Sequence, residues 1–278
     1  MKWSPGGRST NLEDRRGSGV GMPLGIGGAV LTLILSLIFG PGILSDSNDG
    51  STSTSAGEVG LSPADSAREE PMVQFVSFVL DDAQQTWQKA FGTAGARFRP
   101  ANLVLFRDGT ASGCGSAQSA MGPFYCPLDE KVYLDLGFFN ELDRRFGAPG
   151  DFAQAYVIAH ELGHHIQHLQ GIDTRVRDLQ RANPDAANAL SVRLELQADC
   201  YAGVWAHSAA ERGKLERGDV EEGLGAASAV GDDRIQRQTT GSVNVDGFTH
   251  GSAQQRTQWF NRGYQSGNSS SCNTFEGV

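Results

Sequence analysis

Basic residues are scarce and scattered in this chain. Its 278 residues carry 23 Lys and Arg against 32 Asp and Glu, a net charge of −9. Beyond residue 16 no basic run exists, which excludes the cationic surface that nucleic-acid binding requires. Cysteine is scarcer still: Cys114, Cys126, Cys200 and Cys272, with no CxxC among them. That spacing tells against a cysteine zinc site. An even number of cysteines in an exported chain reads instead as two disulfides. Of the three connectivities, pairing by proximity in sequence gives Cys114–Cys126 and Cys200–Cys272 as the expectation. No internal repeat is visible, so the chain is not a solenoid.

Charge is absent altogether between residues 17 and 45, where positions 29–39 are strongly apolar. The stretch 22–44 reaches the roughly 20 residues that span a bilayer. Lys2, Arg8, Arg15 and Arg16 precede it, and the next basic residue is Arg68. The positive-inside rule then gives a single-pass membrane protein with a cytoplasmic N-terminus and an extracytoplasmic remainder. A cleaved signal peptide competes with this reading, but the basic segment is long and no A-x-A-like site follows the apolar run. The expected division is a cytoplasmic segment 1–21, a transmembrane anchor 22–44, a flexible Ser/Gly/Asp-rich linker 45–70 and a domain 71–278.

Within that domain, apolar residues at helical spacing run from Met72 to Phe91. Short apolar runs at 103–106 and 131–136 predict strands, separated by a Gly/Ser loop. Asp151 follows Pro149 and Gly150 as the N-cap of a helix that Gly171 ends. Further helices are expected near 173–182, 185–209, 218–238 and 250–264. The fold class is α+β, predominantly helical with a small sheet.

The helix opened by Asp151 carries HELGH at 160–164. Residues four apart on a helix lie about 40° from each other around its axis, so His160 and His164 share a face and can grip one metal ion. Glu161 then lies where a general base for an activated water belongs. Two histidines leave zinc short of a protein ligand. The metzincin solution needs Gly at 167 and His at 170, where Gln167 and Gln170 stand, so that class is excluded. A later glutamate is the other solution. Glu195 and Asp199, four apart on the 185–209 helix, fit it: Glu195 as third ligand, Asp199 as acceptor for the second ring N–H of His160. His165, His168 and His207 read as packing or surface histidines. His250, in a Thr-His-Gly-Ser loop opening the last helix, is a candidate for stabilising an oxyanion beside the metal, with Tyr133 and Tyr264 as alternatives.

The pairing of HExxH with a later ExxxD resembles the gluzincin metallopeptidases, of which thermolysin is the familiar member. The basic N-terminus, the apolar segment, GPFYCP (122–127), HELGHHIQ (160–167), ELQADCYAGVWA (195–206) and THGSAQQR (249–256) are together similar to the neutral zinc metallopeptidase family of bacteria. That resemblance implies a zincin-like domain behind one transmembrane helix, with Zn2+ as cofactor and a peptide or protein as substrate. It also implies that the strand near 131–136 pairs an extended substrate backbone. The expected function is a membrane-anchored zinc endopeptidase with Glu161 as general base. Two alternatives stand beside it: a zinc amidase acting on cell-wall peptides, and a non-catalytic zinc-stabilised binding module. A purely structural site needs no base and is closed by a fourth protein ligand, which tells against the module.

Overall fold

The computed structural model describes residues 1–17 and 62–276. The first long element, α1, spans Pro63–Thr93, and the Ser62 side chain caps it by accepting the Asp65 amide at 3.1 Å. The sequence reading opens the folded domain at residue 71, where the apolar helical spacing begins. The helix instead starts at Pro63 and passes through Pro71. The turn ahead of that proline is held from outside: Arg8 pairs with Glu70, and both Arg16 and Arg107 pair with Glu69.

A four-stranded sheet follows, made of β1 (Leu12–Asp14), β2 (Asn102–Phe106), β5 (Phe124–Cys126) and β6 (Lys131–Asp135) in the order β1-β2-β6-β5. The first three run parallel, and β5 is antiparallel to β6. A hairpin of β3 (Gly109–Ser112) and β4 (Gly115–Gln118) occupies the stretch expected to be loop. Because β6 is paired on both sides, it is not the free edge that an added substrate strand needs. Among the described residues the edges of the sheet are β1 and β5.

The helical body comprises α2 (Gly137–Arg144), α3 (Asp151–Leu169), α4 (Ile172–Ala182), α5 (Ala187–Glu211), α6 (Asp219–Ala229), α7 (Asp232–Thr240) and α8 (Ala253–Ser266). The region read as one helix over 218–238 is two. Their break falls at Gly231, where a Cβ would lie 2.3 Å from the Ala253 amide nitrogen. One core joins sheet and helices through Val76, Leu80, Leu103, Leu105, Phe152, Trp205 and Phe260. Both expected disulfides are present, Cys114–Cys126 and Cys200–Cys272; the second ties α5 to the chain beyond α8 and sits in a smaller core with Trp87 and Ile166. The architecture is α+β, mostly helical with a small sheet, as the sequence predicts.

The N-terminal segment departs from expectation. Residues 1–17 are built into the domain rather than separated from it. The Leu103 amide donates to the Asn11 carbonyl at 2.8 Å and the Arg15 amide to the Leu105 carbonyl at 2.8 Å. Trp3 packs on Phe75, and Ser9 bonds Asp81 at 2.5 Å. Arg8, Arg15 and Arg16, read from sequence as an orientation signal, pair with Glu70, Glu13 and Asp14 within the fold. Of the segment 1–21 that was expected to be cytoplasmic, residues 1–17 thus lie against the domain through β1 and β2. The 22–44 segment itself lies outside the described residues, and among those described no helix is long and apolar enough to cross a membrane.

Candidate metal centre

The site is built where α3 meets α5. Gly150, at φ 113°, lets the chain enter α3 against Glu222, whose Oε2 accepts the Phe152 amide at 3.0 Å. Glu222 therefore satisfies the helix end that Asp151 was expected to cap; Asp151 is the first helical residue and pairs with the Met1 ammonium at 2.7 Å. Further along, Gly163 permits close approach of the helices: a Cβ there would lie 2.9 Å from the Ala198 carbonyl oxygen. The glycine of HELGH thus sets the spacing between the helix bearing the histidines and the helix bearing the acids.

His160, His164 and Glu195 converge, each offering one ligand atom, all within 4.8 Å of one another. Glu195 Oε2 is 3.1 Å from His160 Nε2, and its Oε1 is 3.4 Å from His164 Nε2. Asp199 Oδ1 accepts from His160 Nδ1 at 2.8 Å, as the sequence predicts. His164 Nδ1 donates to Gln167 Oε1 at 2.8 Å. The Gln167 amide nitrogen donates to the Leu194 carbonyl and to Gln197 Oε1, which fixes its oxygen toward His164. Each imidazole therefore spends Nδ1 on an anchored acceptor and presents Nε2 inward, the arrangement metal-binding histidines adopt. Two imidazoles and one carboxylate on a largely buried wall are a donor set suited to zinc. Among the described residues another trio, Asp151, Asp219 and Glu222, lies as close. Its donors are all carboxylates, and two of them already pair with the Met1 ammonium.

Electrostatics agree with this geometry. Burial opposes the Glu195 charge, but the two imidazoles outweigh it and hold the carboxylate well below its usual range. Burial likewise opposes the His160 cation, yet Asp199 and Glu195 carry that imidazole to about 10. A metal ion taking its Nε2 must therefore displace a proton. Glu161, itself buried, is pushed upward by burial against the pull of His164 and His160, the direction that suits a general base.

The remaining candidates fall as follows. The Asp232 carboxylate accepts the backbone amides of Thr249, His250 and Gly251 and lies 3.2 Å from His250 Nδ1. Burial opposes the His250 cation, but Asp232 and then Glu195 raise it, so the ring interacts electrostatically with the Glu195 carboxylate. Tyr133 instead donates to Asp129, and Tyr264 packs on His207. His165 donates Nε2–H to the Arg99 carbonyl and accepts from Tyr125, while His168 pairs with Asp173 and His207 bonds the Tyr264 carbonyl. All three are held by these partners and lie outside the trio. Sequence reasoning missed Gln167, Tyr156 and Arg256. Gln167 lies three residues past His164, on the same helix face, and that spacing was the available signal. Tyr156 and Arg256 reach Asp199 only through tertiary packing.

Comparison with known proteins gives a consistent result. The family described as "Putative neutral zinc metallopeptidase" matches residues 1–275. The chain is similar to "Uncharacterized protein YpfJ" of Escherichia coli (strain K12), with 45% identity over 285 residues and 99% of each chain covered. It is also similar to "Uncharacterized protein Rv2575" of Mycobacterium tuberculosis, with 48% identity over 187 residues, covering 63% of this chain and 62% of the relative. No solved structure matches it.

Proposed function

The chain belongs to the family of putative neutral zinc metallopeptidases, which implies Zn2+ and a hydrolase, and from that premise we propose a zinc-dependent endopeptidase that uses Glu161 as its general base. The observation that carries the reading is the convergence of His160, His164 and Glu195, with the buried Glu161 carboxylate next to His160 in the chain and outside that trio. His160, His164 and Glu195 would hold the zinc ion, which would supply Lewis acidity toward a scissile carbonyl and an attacking water. Glu161 takes the proton from the attacking water and delivers it to the departing amine. His250, anchored by Asp232, donates a hydrogen bond to the oxyanion that develops on the former carbonyl. The open edge of β5 pairs an extended substrate backbone by strand addition. Its residue Tyr125 bonds His165, the neighbour of His164 on α3.

The two disulfides support an oxidising, extracytoplasmic location for the domain. The N-terminal strand, hydrogen-bonded to the domain, shares that compartment in this reading. The test uses the purified full chain, wild type and Glu161→Gln, on an unfolded protein and on a cell-wall peptide. Cleavage of the unfolded protein by wild type alone, with equal zinc content in both forms, is the expected result. Cleavage of the cell-wall peptide only would make the protein an amidase. Zinc bound with no turnover on either substrate would make it a binding module.

A further inference from the structure

The final residue of THGSAQQR, Arg256, is almost wholly buried, with 4% of its side chain exposed. A buried guanidinium is costly unless its donors are met. Here every nitrogen has an acceptor: Nε donates to Asp199 Oδ2 at 2.8 Å, Nη2 to Asp199 Oδ1 at 2.9 Å and to the Tyr156 hydroxyl at 3.2 Å, and Nη1 to the Val230 carbonyl at 3.3 Å. The Tyr156 hydroxyl in turn donates to Asp199 Oδ1 at 2.5 Å. Both oxygens of the carboxylate that orients His160 are thus clamped by a two-point fork, a geometry that fixes the plane of the acid as well as its position.

Backbone-level packing brings the fork into place. A Cβ on Gly203 of α5 would lie 2.0 Å from the Phe260 carbonyl oxygen, and one on Gly263 of α8 would lie 1.9 Å from the Cys200 carbonyl oxygen. α8 therefore rests directly on the backbone of α5, and its first turns set Arg256 against Asp199. Ser252 and Gln255 close the capping box that starts α8, so the approach of Arg256 is fixed along the helix as well.

We propose that Arg256 is a positioning residue of the metal centre: its fork holds Asp199 in the plane in which it receives His160 Nδ1–H, and so aims His160 Nε2 at the ion. The proposal rests on zinc binding by His160, His164 and Glu195. A merely structural arginine would neutralise a buried acid and stabilise the fold without bearing on metal affinity.

The test is Arg256→Lys in the full chain, which keeps the charge and loses the fork. Zinc affinity is measured by competition with a chelator, and thermal unfolding is followed with and without zinc. The expected result is a zinc affinity about 10- to 100-fold weaker, the range seen on removing such supporting groups, and a smaller rise in Tm on adding zinc. Should Arg256→Lys not fold, Arg256→Gln, which keeps N–H donors toward Asp199, is read in the same way. Unchanged zinc affinity overturns the proposal. So does failure of both variants to fold even with zinc in excess, since Arg256 then serves the fold alone. A wild-type chain that binds no zinc would instead defeat the proposed function.

Discussion

Gly163→Ala is a one-methyl perturbation whose consequence follows from the helix spacing. The added Cβ would lie 2.9 Å from the Ala198 carbonyl oxygen, 3.0 Å from its Cα and 3.2 Å from its Cβ. Two of those atoms are backbone, so no side-chain rotation relieves the contact, and α3 and α5 must part by about half an ångström to reach ordinary van der Waals separation. Overpacking of this kind costs about 1–3 kcal/mol, against about 0.5–1 kcal/mol gained by replacing glycine with alanine inside a helix. A net loss of about 1–2 kcal/mol lowers Tm by roughly 2–8 °C in a domain of this size. Metal affinity should suffer more. His164 adjoins Gly163 and Glu195 lies one turn from Ala198, while ligand distances tolerate only about ±0.2 Å. A loss of at least about tenfold in zinc affinity is expected, measured by chelator competition beside a thermal scan. Gly225→Ala, at an exposed position of α6 with nothing within 4 Å of the new Cβ, is the control and should stabilise slightly. If Gly163→Ala matches wild type in both Tm and zinc affinity, the reasoning from helix spacing is refuted.

Two further predictions concern the N-terminal strand. Arg8→Cys with Glu70→Cys, in the full chain with a protease site inserted between 45 and 61, should be joined by a membrane-permeant bis-maleimide in intact cells and run as one species after cleavage. Labelling of both cysteines by a monofunctional maleimide without cross-linking would place them apart and contradict the fold. The Glu13 carboxyl, bonded by Arg15 and Lys131, is lowered to about 2 from 4.5. A depressed folded value contributes stability that is present above about pH 4.5 and lost as pH falls toward 2. Wild-type Tm should therefore drop more steeply across that window than the Tm of Glu13→Gln; parallel profiles would refute the assignment.

What was legible in the sequence is what helical periodicity encodes locally. His160, Glu161 and His164 lie within one turn and a half, and Glu195 and Asp199 within another, so spacing alone groups each set. Joining the two sets took only the ligand count that zinc demands. The rest depends on contacts distant in sequence. Leu12–Asp14 has no strand pattern of its own and becomes β1 by pairing with β2. Arg8, Arg15 and Arg16 look like an orientation signal until their acidic partners on α1 and β1 are seen. Gln167 excluded a metzincin, and its spacing of three residues from His164 was the one sign of the bond the two share. Arg256 stands 57 positions from Asp199, beyond any local period.

The central claim is the ligand set, and zinc K-edge X-ray absorption on the zinc-loaded full chain tests it most directly. One zinc per chain is predicted, with two imidazole nitrogens and oxygen donors at about 2.0–2.2 Å and no sulfur, since all four cysteines are paired in disulfides. Glu195→Gln should weaken the binding while keeping both imidazoles. A sulfur ligand, a third imidazole, or a zinc affinity indifferent to Glu195→Gln would contradict the account.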